Sequence, residues 1–298
     1  FFKQKTAYEM LRSLVGSEMC IRDRPYVMGM EKLMGIEIPE RIEYIRVIMA
    51  ELNRIANHQI AVATFGLDAG AFTPFLYLFR DREMILNLFE WASGGRLLYN
   101  YFWIGGLQRD VPANFKETCL EIVKTVRKTN AEVMELLIGN KIFIERTANV
   151  GILPADVAIN FGITGPVLRG SGVPYDLRKV EPYSIYDRFD FDVIVGKGEM
   201  GTVGDCWDRN IVRMREMEES CKIIEQAVAQ MPDEPKDVRI AVPKRVRPPK
   251  GEFYAKAENP KGELGFYIVS DGSAKPYRVR ARATSFVNLS VLPVISKG

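Results

Sequence analysis

PERIEYIRVIMAELNRIANHQIAVATFGLDAGAFTPFLYLF, residues 39–79, decides the fold of this chain. It reads as two long helices joined by a turn. Pro39 suits a first helical position, and Glu40 and Glu43 place negative charge in the first turn, where exposed amides and the helix dipole favour it. Ile42, Ile45, Ile48, Met49, Leu52, Ile55 and Val62 then recur at helical spacing and predict one buried stripe. Glu43, Arg46, Asn53, Arg54, Asn57 and His58 fall on the other side, a face predicted to need water or a partner. Gly66 and Gly70 open the chain around Asp68. Thr73-Pro74 predicts the restart, a hydroxyl cap before a proline, with Phe75, Leu78, Ile85, Leu88 and Phe89 as the next apolar stripe.

Working outward, Tyr26 to Leu33 reads as the tail of a helix, ended by Gly35 and Pro39. Beyond Gly94-Gly95 an apolar segment runs to Gly105-Gly106. A long helix is predicted from Asp110 and Pro112 to Asn140. Glycines and prolines punctuate Thr147 to Pro182, predicting an ordered loop, and FDFDVIVG (189–196) alternates like a strand. CWDRNIVRMREMEESCKIIEQAVAQM (206–231) is a further helix closed by Pro232. From Val238 the chain is basic and β-like, with GELGFYIVSDG and PYRVRARA predicted to pair around the Asp271-Gly272 turn. The fold class expected is α+β, a mainly helical core with a smaller antiparallel β region.

At 298 residues, with 41 basic and 38 acidic side chains, the chain can bury a sizeable core and carries no overall nucleic-acid signature. No apolar run spans a membrane uninterrupted; Asp68, Arg80 and Asp81 break the best candidate. Cys20, Cys119, Cys206 and Cys221 are far apart, without a C-x-x-C pair, which argues against a disulfide framework. One histidine cannot supply a usual tetrahedral zinc set, so no metal ligand is assigned.

His58 with Asp68 is the one histidine and carboxylate combination available. An imidazole can pass protons near neutrality and a carboxylate can steady its cationic form. The plainer readings are a solvent-facing or structural histidine and a turn or cap aspartate. LRGSGVPYDLRK (168–179) either offers Arg169, Arg178 and Lys179 to an anion or cross-links itself through Arg–carboxylate pairs. The basic Lys244 to Lys250 run reads as a solvated face, lacking the aromatics of a single-strand binder. GKGEMG (196–201) lacks the lysine placement of a nucleotide loop.

EKLMGIEIP, PERIEYIRVIMAELNRIANH, LDAGAFTPFLYLFRDRE, LRGSGVPYDLRKVEPY, GDCWDRNIVRMREM and GELGFYIVSDGSAKPYR, in this order, resemble one family. It is the 49 kDa, or D-type, subunit family of respiratory complex I, and the likeness runs from about Tyr26 onward. The resemblance implies a peripheral-arm subunit of a proton-pumping NADH:quinone oxidoreductase. Such a subunit binds no iron-sulfur cluster itself and forms the quinone cavity against a cluster-bearing B-type neighbour. The C-type, 30 kDa neighbour and the membrane-arm subunits are further expected partners. Quinone is the expected substrate and the cytoplasmic side of the bacterial plasma membrane the expected place.

The same resemblance assigns residues. Asp68 matches the family's aspartate that pairs with a quinone-site histidine, His58 a histidine near the terminal cluster, and Thr64 and Phe75 positions beside the quinone pocket. Phe65 stands where some members carry a second histidine. The family's hairpin histidine and the tyrosine before the EKL block would lie upstream of Tyr26, a helical segment before GELG is missing, and a C-terminal tail would follow Gly298. Residues 1–24 are read as a sequencing-adapter scar, for LVGSEMCIRDR resembles such a translation; a short native helix is the alternative. Within 25–298 the expected divisions are a helical bundle (25–146), an ordered loop with short strands (147–203), a helix (204–232) and a basic loop with a β region (233–298). The family resembles the large subunit of nickel-iron hydrogenases in fold, without the two C-x-x-C metal-binding pairs. Rival expectations are the homologous subunit of a ferredoxin- or deazaflavin-fed oxidoreductase, and a non-catalytic assembly scaffold.

Overall fold

The computed structural model describes residues 23–97, 99–234, 237–243 and 245–296. Cys20, Leu98, Lys244 and all but the last two residues of the adapter-like stretch lie outside the described residues. The first helix, α1 (Asp23–Met34), is followed by the two long helices read from the sequence, α2 (Glu40–Asp68) and α3 (Phe72–Ser93). The predicted stripe of α2 is fully buried from Ile42 to Val62. Each such aliphatic side chain contributes roughly 1.5–3 kcal/mol of burial free energy. The restart is displaced from the Thr73-Pro74 expectation: Ala71 precedes the first turn and makes no side-chain cap, and Thr73 and Pro74 fall inside it. Gly70 takes φ +92° in the turn between α2 and α3, a left-handed conformation that favours glycine.

A two-residue hairpin, β1 (Phe102–Trp103) with β2 (Gly106–Leu107), leads to α4 (Phe115–Val133), which runs on through a π-helical turn, Met134–Ile138. Asn140 does not merely stop that helix. Its side chain accepts from the Ile142 amide and so starts α5 (Lys141–Thr147). The Gly- and Pro-punctuated region is ordered but holds three short helices, α6 (Ala155–Asn160), α7 (Pro166–Gly170) and α8 (Leu177–Val180). FDFDVIVG pairs with no strand, contrary to its alternation. It lies along α9 (Cys206–Gln230), where the Gln226 and Glu219 side chains accept from the Asp190 and Asp192 amides at 2.8 and 2.9 Å. Side chains of a helix satisfy the donors that a neighbouring strand would otherwise take.

Helices α2, α3, α4 and α9 pack as the central bundle, α2 against both α3 and α9. The sheet has three antiparallel strands in the order β3 (Gly251–Asn259), β4 (Gly262–Ser270), β5 (Arg278–Arg282). The β4–β5 pairing matches the sequence reading; β3 adds a partner that it did not delimit. Helix α1 lies on this sheet, Tyr26 edge-on to Phe266 at 5.8 Å between centroids. At its start Arg24 is buried, donating to the Tyr186 hydroxyl at 3.3 Å. Two short helices, α10 (Thr284–Leu289) and α11 (Leu292–Ile295), follow the sheet. The class is α+β, mainly helical with small antiparallel sheets.

Of the two expectations for the polar side of α2, water or a partner, the partner is found. The polar side of α2 does not face water: Arg46, Asn53, Arg54, Asn57 and His58 are all buried. Its partner is the rest of the chain. Arg46 holds both Glu31 oxygens at 2.9 and 2.7 Å and reaches the carbonyls of Trp103 and Gly106, which ties α1, α2 and the β1–β2 hairpin together.

Candidate functional site

His58 sits in the middle of α2, only 2% exposed, with Nε2 2.8 Å from Glu216 Oε2 on α9. Burial pulls the imidazole down to about 4, although the hydrogen bond and charge of Glu216 push the other way; Arg54 and Arg213 add to the lowering. Burial alone would raise Glu216, but Arg169 and His58 outweigh it and hold the carboxyl well below the usual range. Near neutral pH the pair is therefore a neutral imidazole and a carboxylate. Nε2 must carry the proton that it donates to Glu216, which leaves Nδ1 as an acceptor.

Glu216 opens a continuous ionic cluster. Its Oε1 accepts from Arg169 Nε at 2.6 Å, and Arg169 Nη1 bonds Glu258 at 2.9 Å and lies 3.6 Å from Asp176. Asp176 caps α8 through the Arg178 amide and binds the Arg178 guanidinium by three contacts, 3.0, 3.3 and 2.7 Å. Arg178 passes on to Glu51 at 3.0 Å. Glu51 also accepts from Arg54, from the Tyr186 hydroxyl at 2.6 Å and from Ser220 at 2.8 Å. Burial would raise Glu51, yet Arg54, Arg178 and the two hydroxyls hold it at about 2. Glu258 differs, its pKa raised chiefly by burial with Asp176 adding repulsion and Arg169 opposing. It is the carboxyl of the cluster that most readily takes a proton.

The LRGSGVPYDLRK loop thus cross-links itself and its surroundings, through Arg169 and Arg178. Lys179 stands apart, its ammonium over the Phe191 ring at 4.2 Å. Sequence reading missed Glu51, Asp176, Glu216, Ser220 and Glu258. A signal was present for some of them: Glu51, Arg54 and His58 at i, i+3 and i+7, and Glu216 with Ser220 at i and i+4, form polar stripes on two helices. Nothing local shows that the two stripes face each other, and Glu258 comes from a strand far along the chain.

His58 also lines a cavity of about 410 Å³ between α2, α9 and the short C-terminal helices. Phe65, one candidate departure from the family pattern, lines it too and packs edge-on to Phe143.

Asp68 is the last residue of α2, ten residues and roughly 15 Å along the axis from His58. The structure does not bring the two together. Asp68 is exposed, and among the described residues no side chain pairs with it. Thr64, one turn earlier, is exposed as well, its hydroxyl donating to the Ile60 carbonyl at 2.8 Å. Phe75 stacks between Phe72 and Phe79, at 6.0 and 4.2 Å between centroids. Leu67, Phe72 and Leu76 around this turn are 39, 57 and 50% exposed, so the carboxylate stands beside uncovered apolar surface. Arg146 Nη1 pins the turn by donating to the Ala69 carbonyl at 3.1 Å.

The family model described as respiratory-chain NADH dehydrogenase, 49 Kd subunit, matches residues 68–298. The D subunit of NADH-quinone oxidoreductase from Pelodictyon phaeoclathratiforme is 58% identical over 278 residues, covering 93% of this chain and 70% of that protein. The corresponding protein of Chlorobaculum tepidum is 57% identical over 275 residues, 92% of this chain and 69% of that one. The first of the numbered D subunits of Cytophaga hutchinsonii is 55% identical over 283 residues, 92% and 72% respectively. On the match to the family model and on identity of this extent, the chain belongs to the 49 kDa subunit family of the respiratory-chain NADH dehydrogenase.

Proposed function

We propose that this chain walls the quinone cavity of a proton-pumping NADH:quinone oxidoreductase, against a B-type subunit that carries the terminal iron-sulfur cluster. The observation that carries the reading is the α2–α3 turn. A carboxylate without an ionic partner among the described residues stands there beside exposed Leu67, Phe72 and Leu76, a surface suited to a partner and an apolar ligand. In this reading Asp68 holds a partner histidine in its charged form, since a nearby anion favours the imidazolium. Thr64 and Phe75 border the quinone pocket. His58, kept neutral and oriented by Glu216, tunes the cluster's surroundings by hydrogen bonding.

The remaining parts of the reading follow from the family. The C-type and membrane-arm subunits are further neighbours, the fold is kin to the nickel-iron hydrogenase large subunit, and the chain sits peripherally on the cytoplasmic side. No helix among the described residues is long and apolar enough to cross a membrane. Among those residues no group of three His, Cys, Asp or Glu is arranged to hold a metal ion. Electrons in this reading pass from the neighbour's cluster to the quinone, with this chain supplying walls and a proton-linked acid.

The test is Asp68→Asn in the assembled complex. Quinone reduction should fall at least tenfold while NADH oxidation by an artificial acceptor and subunit content stay unchanged. Undiminished quinone turnover would remove Asp68 from the site. Loss of assembly with no change in the chemistry of the remaining complex would favour a scaffold.

A further inference from the structure

Glu258 is a buried titratable group that the quinone reading leaves unused. It stands on β3, in the ionic cluster that runs to His58. The four carboxylates of that cluster are not equally served. Glu51 accepts from two guanidiniums, Arg54 and Arg178, and from two hydroxyls. Asp176 has three contacts with the Arg178 guanidinium and a backbone amide. Glu216 has Arg169 Nε at 2.6 Å and His58 at 2.8 Å. The one charged donor that bonds the Glu258 carboxyl among the described residues is Arg169 Nη1, at 2.9 Å, and that nitrogen also donates to the Tyr175 carbonyl at 2.9 Å and lies 3.6 Å from Asp176. The second oxygen of Glu258 meets the Leu177 amide at 3.4 Å.

Three carboxylates, from α9, β3 and the start of α8, therefore crowd one guanidinium. Arg54, facing β3 from α2, spends Nη2 on the Glu258 backbone carbonyl at 2.7 Å and Nε on Glu51 at 3.0 Å. The remaining groups around Glu258 are the Asp176 anion and the Tyr175 and Tyr183 phenols, the Tyr183 hydroxyl accepting from the Glu258 amide at 3.0 Å. A buried carboxyl this short of positive charge is more cheaply kept neutral than ionised. Burial first, then repulsion from Asp176, raises its pKa against the pull of Arg169 and Arg54, whereas Glu51, Asp176 and Glu216 are all lowered.

We propose that Glu258 is a buried proton-binding site: its carboxyl holds a proton at neutral pH and competes with Glu216 for Arg169, so that the charge at this site is coupled to the His58–Glu216 pair. Release of the proton would add a full anion beside Arg169, draw the guanidinium away from Glu216 and ease protonation of His58. The proposal does not depend on the quinone reading, since Asp68, Thr64 and Phe75 take no part in the cluster.

The experiment is infrared spectroscopy of the purified complex over a pH series, because a protonated carboxyl has a C=O stretch separate from those of carboxylates and amides. Near neutral pH the unaltered complex should show one such band that Glu258→Gln lacks, and the band should fade as the pH is raised. Glu216→Gln leaves Arg169 to Glu258 and should move the midpoint of that fading down by about one pH unit or more. Asp176→Asn, which removes the repelling anion, gives a second reading in the same direction should Glu216→Gln fail to fold. Glutamine copies the shape of a protonated glutamate, so Glu258→Gln should assemble as the unaltered subunit does. Loss of assembly in Glu258→Gln, no band difference near neutral pH, or a midpoint that neither Glu216→Gln nor Asp176→Asn lowers overturns the proposal.

Discussion

Replacing Glu216 by Gln removes the anion that accepts from His58 Nε2 at 2.8 Å and from Arg169 Nε at 2.6 Å. The chain has a single histidine, so carbon-13 labelling of histidine gives one side-chain resonance to follow. In the unaltered chain His58 should stay neutral from pH 8 downward and titrate near 4, because burial outweighs the help of Glu216. In Glu216→Gln the midpoint should move lower still, or the chain should unfold first. A His58 folded pKa below its unfolded value means that the unfolded chain takes up the proton first. Its contribution is therefore intact above about pH 6.5 and lost as pH falls towards 4. At about 1.4 kcal/mol per unit the loss approaches roughly 3 kcal/mol. Glu51, held near 2, extends the acid loss below the usual glutamate pKa, while Glu258, raised by burial, works against it. Comparison with His58→Gln isolates the histidine, since its slope between pH 6.5 and 4 should be shallower. The variant at 216 also takes from Arg169 one of its carboxylates while Glu258 at 2.9 Å and Asp176 at 3.6 Å remain, at a cost of about 1–3 kcal/mol, which should lower the melting temperature by roughly 5 °C. A wild-type midpoint near 6.5, or a Glu216→Gln midpoint above the wild-type one, would refute the assignment of a burial-dominated neutral imidazole.

Arg169→Met should destabilise by about 3–5 kcal/mol in thermal unfolding, since it leaves Glu216 and Glu258 buried around a missing cation. Asp68→Asn, on an exposed residue, should change stability by less than about 0.5 kcal/mol; a large loss would mark Asp68 as structural. Gly165→Ala should lower the yield of folded chain. At φ +75° a Cβ there would meet the Lys261 carbonyl oxygen and Gly262 Cα at 2.5 Å, backbone that cannot turn aside.

How much of this was legible beforehand follows from how local each signal is. The stripe of α2, the glycine at 70, the helix over 206–230 and the β4–β5 pair all show themselves within a few turns or strands. The polar face of α2 was visible, and its fate was not. Burial of Arg54 and His58 depends on Glu216 and Glu258, which are 158 and 204 residues away along the chain from the groups they meet. FDFDVIVG misled for a related reason: alternation predicts an extended chain but not which donors and acceptors will meet it, and here α9 met them. The exposure of Asp68, Thr64 and Leu67 lay outside what a pattern can show, since Gly66 buries the same helix end against Leu137 with a would-be Cβ contact of 3.0 Å. The family resemblance named Asp68 and His58 directly. The structure adds that they stand ten residues apart on one helix, one exposed and without an ionic partner among the described residues, the other locked to Glu216.

Photolabelling of the assembled complex with an azido-quinone, followed by peptide mapping of this subunit, tests whether the α2–α3 turn borders the quinone. Label is expected within residues 64–79, the segment that holds Thr64, Asp68 and Phe75, and should be lost in the presence of excess unmodified quinone. Label confined to other parts of the subunit, or label at 64–79 that excess quinone does not displace, would contradict that reading.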